Sequence, residues 1–161
     1  MKCALELAMI KNEAEKNYQL EQFVLDEKCR EKHLEIIAKT IAYCEEVIGV
    51  ALEADAVNRK KPYFKLAGMI YEDRVGNKIF SPLDRGYKSY ANGAFSYNVN
   101  RDITYDVETL KNYLEKHCYK VEFINHYFKT YGCGERKGSR LEVSIDEEKL
   151  NICAVINGVK A

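Results

Sequence analysis

Tryptophan is absent from this chain, proline occurs only twice, and the charges cancel at 25 of each sign over 161 residues. The balance of charge removes any global electrostatic footprint for nucleic acid or an acidic membrane, so such binding has to come from a local patch. No apolar run approaches the ~20 residues of a membrane span. Lys2, Glu6 and Lys11 put charge too early for a signal peptide. The six cysteines include no CxxC pair. Scattered over mostly apolar positions, in a chain without a secretory signal, they read as reduced and mostly buried thiols of a cytoplasmic protein.

The first 58 residues hold one glycine, Gly49, and no proline, and they read as helix. Leu34, Ile37, Ile41, Cys44 and Ile48 recur at alternating steps of three and four, the seam of a coiled coil. Leu20 and Phe23 lie in the same frame, while Glu27 and Arg30 interrupt it. If residues 26–32 turn, the segment is a helical hairpin; if they do not, it is one rod of roughly 80 Å. The absence of glycine, proline and asparagine from 26–32 favours the rod. A rod of that length overhangs a body of about 13 Å radius of gyration, and its apolar stripe then calls for a second copy. The competing reading packs residues 34–52 on the chain's own sheet.

Beyond Pro62 the pattern changes. Tyr63 to Tyr71 predicts a strand, residues 72–78 a turn, and Ile79-Phe80 a return strand stopped at Pro82. Residues 83–93 read as loop and Ala94 to Val99 as a short strand. Asp106 is suited to cap a helix running through Cys118. Tyr119 to Tyr131 and Arg140 to Ile145 predict strands around a glycine-rich loop, 132–138, and the alternation of Leu150 to Ile156 predicts a last strand. The expected class is α+β: residues 1–59 a long helix or hairpin, residues 60–161 a small, mostly antiparallel sheet with one packed helix.

The sequence offers little chemistry. Gly132, Gly134 and Gly138 could turn backbone N–H groups onto an anion beside Arg136, Lys137 and Arg140, but the run matches neither GxGxxG nor a Walker loop. As the join between two strands it is first a flexible hairpin with solvated charges. Cys133 could serve as a nucleophile only if His117 or His126 reaches it; on an extended strand His126 lies about 23 Å away. His117, Cys118, His126 and Cys133 have metal-ligating types without metal-ligating spacing, so no metal and no cofactor are expected.

Tyrosine is the abundant aromatic, with 12 copies. Tyr87, Tyr90, Tyr97 and Tyr105 stand among Arg85, Lys88 and Arg101, a mixture that gives contact area at low rotamer cost. It equally suits rings that finish the edge of a core with the hydroxyl in water. These features point to a non-enzymatic interaction protein: a homodimer through Leu34, Ile37, Ile41, Cys44 and Ile48. It would grip a host protein or nucleoprotein through Arg85, Tyr87, Lys88, Tyr90, Tyr97, Arg136, Lys137 and Arg140. Size, an AT-rich coding composition and the lack of catalytic motifs fit a phage or mobile-element accessory protein, for example an inhibitor of a defence nuclease or an adaptor. A nucleic-acid or nucleotide binder is the alternative, with Lys60 and Lys61 joining the basic loop. A cysteine-dependent enzyme centred on Cys133 comes third.

Overall fold

The computed structural model describes residues 1–89, 95–99, 103–130 and 134–156. The amino-terminal segment is a single rod without a turn at 26–32: α1 (Ala4–Tyr43), a π-helical turn (Cys44–Ile48) and α2 (Gly49–Val57) follow one another directly. The body is β1 (Tyr63–Glu72), β2 (Lys78–Ser89), β3 (Phe95–Val99), a two-residue β4 (Tyr105–Asp106), α3 (Val107–Lys116), β5 (Tyr119–Thr130), β6 (Gly134–Ile145) and α4 (Glu147–Ile156). The class is α+β.

The strands form a ring of pairings. β1 pairs with β2 and β6, β6 with β5, and β2 with β3, all antiparallel. Five strands cannot close a ring antiparallel throughout, because direction must alternate around an odd cycle. The remaining pair is accordingly parallel: Tyr97 of β3 meets Thr130 of β5. A parallel pair needs a crossover, and α3 lies in that connection.

Two strands change neighbours within their length. Gly68 is the last β1 residue opposite β6, facing Ser139, and the first opposite β2, facing Pro82. Leu83, next in β2, already faces Val99 of β3. Pro82 therefore sits where β2 passes from one partner to another, which is why it does not stop the strand as expected. Residues 83–89 belong to β2 and not to a loop. The glycine-rich run is likewise mostly strand: Thr130 faces Gly134 and His126 faces Gly138, leaving only 131–133 between the strands.

The expected strand at 150–156 is helix α4. Asp146 sets it: its carboxylate accepts from the Lys149 N–H at 3.2 Å, its carbonyl accepts from the Leu150 N–H, and Glu147 and Glu148 fill the first turn. The capping signal outweighs the period-two alternation that follows it. Asp106 caps α3 as expected, its side chain accepting from the Thr109 N–H.

The rod packs on the body through Ile36, Thr40, Cys44, Ile48 and Leu52, all buried. A spacing of four drifts by about 40° per step on an α-helix of 3.6 residues per turn. The π turn absorbs that drift, with the Gly49 N–H reaching back to the Cys44 carbonyl. Cys44, Ile48 and Leu52 join Leu110 and Leu114 of α3 over Phe80, Val121, Leu141 and Val143 of the sheet. Phe64, Val143 and Val121 are register neighbours, as are Leu66, Leu141 and Phe123, so alternate positions of three strands supply one core face. Each large side chain sealed here contributes about 1.5–3 kcal/mol of burial free energy.

Candidate functional site

Where the rod crosses the body, one carboxylate organises three elements. Asp106 Oδ1 lies 2.8 Å from His33 Nε2 on α1, and its Oδ2 accepts from the Thr109 N–H at 2.9 Å and from the Thr109 hydroxyl at 2.6 Å. The Asp106 N–H donates to Thr40 Oγ1 at 2.9 Å, and that hydroxyl donates to the Ile36 carbonyl. Burial opposes charge on Asp106, but the hydrogen bonds from Thr109 and His33 overcome it and hold the carboxyl below its usual range. Both oxygens are engaged, so the cluster's chemistry is to fix the rod's angle and cap α3.

A second clasp lies farther along the rod. In the β1–β2 turn, Asp73 accepts from the N–H groups of Val75 and Asn77 and from the Asn77 amide. Gly76 in the same turn takes φ +87, which a side chain would resist. Burial again opposes the charge, but bonds from Asn77, Val75 and the Cys29 thiol of α1 win, and the Asp73 carboxyl is lowered. Arg74 Nε reaches Asp26 Oδ1 at 2.6 Å. The body therefore grips α1 as far back as Asp26.

Beyond that point the rod is uncovered. Every residue from 1 to 25 is exposed except Gln22, which is half-buried. Nine of those within the helix are large and apolar: Leu5, Leu7, Met9, Ile10, Tyr18, Leu20, Phe23, Val24 and Leu25 stand 45–71% exposed. At about 100° per residue eight of these fall into two stripes, with Val24 between them. Leu7, Ile10, Tyr18 and Leu25 continue the line of Cys29 and Ile36 that faces the body. Leu5, Met9, Leu20 and Phe23 lie roughly opposite and continue to Leu34, itself 68% exposed.

The expected dimer seam is therefore divided between two faces. Cys44 and Ile48 are in the chain's own core, at 2% and 0% exposure; Ile37 and Ile41 are half-buried, and Leu34 points outward. The heptad frame assumes α geometry throughout, and the π turn changes the phase after Tyr43. Among the expected partner-binding residues, Lys137 is exposed and faces Tyr127 across β5–β6. Arg140 is half-buried and paired with Glu142 at 2.9 Å, and Glu142 also accepts from the Tyr63 hydroxyl. Arg85, Tyr87, Lys88 and Tyr97 lie on β2 and β3, where Arg85 faces Tyr97, and Arg136 faces Phe128. Tyr90, Gly132 and Cys133 lie outside the described residues.

The histidines have other employment. His117 Nδ1 lies 2.8 Å from the Tyr113 carbonyl, and its ring leans on the Tyr113 ring at 4.5 Å. Among the described residues no three His, Cys, Asp or Glu side chains gather as a metal site, and no helix is long and apolar enough to cross a membrane. Burial pushes the Cys44 thiol up to about 11, while Cys29 and Cys118 are half-buried and Cys3 is exposed. Sequence reasoning missed His33; it expected an overhanging apolar stripe but drew it from Leu20 onward, passing over the six apolar residues among 4–10. Compared with known protein families, curated proteins and solved structures, the chain matches none.

Proposed function

We propose that this chain is a non-enzymatic interaction protein in which a rigid α+β base carries residues 1–25 of α1 as a docking arm. One observation carries the reading: nine large apolar side chains stand exposed on a helix segment that makes no part of the monomer's core. Patches on monomers seldom exceed a few hundred Å2 unless they bind something. The two carboxylate clasps support the same reading, since they fix the direction in which the arm leaves the base.

Deleting residues 2–22 tests it. Measured where the full chain is dilute enough to be monomeric, the base should keep its thermal midpoint within about 2 °C, because no core residue is removed. A fall of more than about 5 °C would show the arm to be structural and end the proposal.

A further inference from the structure

We infer that a second copy of this chain covers the outward stripe of α1, docked antiparallel so that residue numbers facing each other add to 43. The inference rests on the docking-arm reading and names its occupant. The outward frame runs Met9, Glu13, Lys16, Leu20, Phe23, Glu27, Arg30, Leu34. Turned end for end on itself, it sets Met9 against Leu34, Glu13 against Arg30, Lys16 against Glu27 and Leu20 against Phe23. The two-fold axis then repeats each pair. Apolar residues meet apolar ones, and every charge meets its opposite.

Other arrangements lose this match. A parallel, in-register pair stacks Glu13, Lys16, Glu27 and Arg30 each on its own kind, which costs stability in a coiled-coil seam. Sliding the antiparallel pair one heptad in one direction puts Leu20 against Arg30 and Lys16 against Leu34. Sliding it the other way sets Met9 on Glu27 and Phe23 on Glu13.

The monomer presents this surface open. Met9, Leu20, Phe23 and Leu34 are 60–68% exposed. Arg30 and Glu27 already pair along the helix at 2.5 Å with side chains 55% and 47% exposed, leaving room for Glu13 and Lys16 of the second copy. The body grips the other side of the helix at Asp26, Cys29 and His33, so it does not block the seam. The strip from Met9 to Leu34 is roughly 39 Å long, about seven turns of helix. The two bodies lie at opposite ends of the helix pair.

Sedimentation equilibrium on the full chain tests the register. Wild type should dimerise below about 100 μM. Glu13→Lys and Arg30→Glu should each weaken dimerisation about tenfold or more, and combining them should restore it to within about threefold. Lys16→Glu and Glu27→Lys, singly and together, form a second, independent cycle. All four positions lie on the helix surface, so circular dichroism and the thermal midpoint, measured where the protein is dilute enough to be monomeric, should not change, which separates association from folding. A monomeric wild type at that concentration, silent single swaps, or a double swap no tighter than its singles would overturn the inference. The thermal midpoint of the arm deletion remains a separate test, of the docking arm alone.

Discussion

His33 of the rod and Asp106 at the head of α3 meet at 2.8 Å, 73 residues apart in sequence, and the same carboxylate caps α3 through its other oxygen. One side chain thus sets the helix start and the docking angle of the rod, which makes its loss more costly than that of an ordinary cap.

Asp106→Ala should destabilise the protein by about 2–4 kcal/mol, combining a lost cap with an unpartnered Thr109 and His33. Asp106→Asn keeps an acceptor for the cap and should cost less. The two also differ in pH response. The folded carboxyl is lowered, so its stabilisation is present above the unfolded value of about 3.9 and disappears as pH falls through the folded one. Urea unfolding across about pH 2–6 should show a shallower acid loss in Asp106→Asn than in wild type. Some loss should remain, because the Asp73 carboxyl is lowered too.

Asp106 was legible in the sequence because a cap is a local signal. His33 was not: nothing in residues 29–36 says that the helix will cross another helix's first turn. The same division holds elsewhere. The strand around Val143 follows from alternation, whereas β2 running through Pro82 depends on a change of neighbour that only the ring of pairings creates. The long helix was readable from its breaker-free composition. The seam from Leu34 to Ile48 was not, because a π turn alters phase without altering composition. That a rod of this length overhangs the body was readable from its length; where the overhang begins is a tertiary fact, set by the body's reach ending near Asp26.

Gly68 stands where β1 changes partners, and a Cβ there would lie 2.5 Å from Phe80 Cζ and 2.6 Å from the Ser81 carbonyl oxygen. The Phe80 ring is fully buried and the carbonyl is backbone, so neither can step aside cheaply. Gly68→Ala should cost about 1–3 kcal/mol. At about 2–4 °C per kcal/mol for a chain of this size, the loss is readable by calorimetry. An unchanged midpoint would mean that β1 and β2 are farther apart than described.

Arg59 has φ +59 just past α2, where the Lys60 N–H bonds the Asp55 carbonyl and the Arg59 N–H bonds the Ala56 carbonyl. This is the Schellman arrangement, whose left-handed residue is usually glycine. Arg59→Gly should therefore stabilise the fold by about 0.5–1 kcal/mol. Cys118, at φ +66 after α3, offers the same test, and Cys118→Gly should raise the midpoint rather than lower it. A fall at both positions would show that the left-handed backbone costs nothing there.

Leu34 and Ile48 separate the two faces of the rod. The heptad frame puts them on one seam, but the structure gives them 68% and 0% exposure. Ile48→Ala should cost about 2–4 kcal/mol through a cavity beneath Leu110 and Phe80. Leu34→Ala should change monomer stability by no more than about 0.5 kcal/mol, measured where the protein is dilute enough to be monomeric. The contrast checks the π turn directly. With α geometry carried straight through, the two positions would share a face and neither loss would so exceed the other. A large effect at Leu34 in dilute solution would therefore return that residue to the core and remove the outward stripe on which self-docking depends.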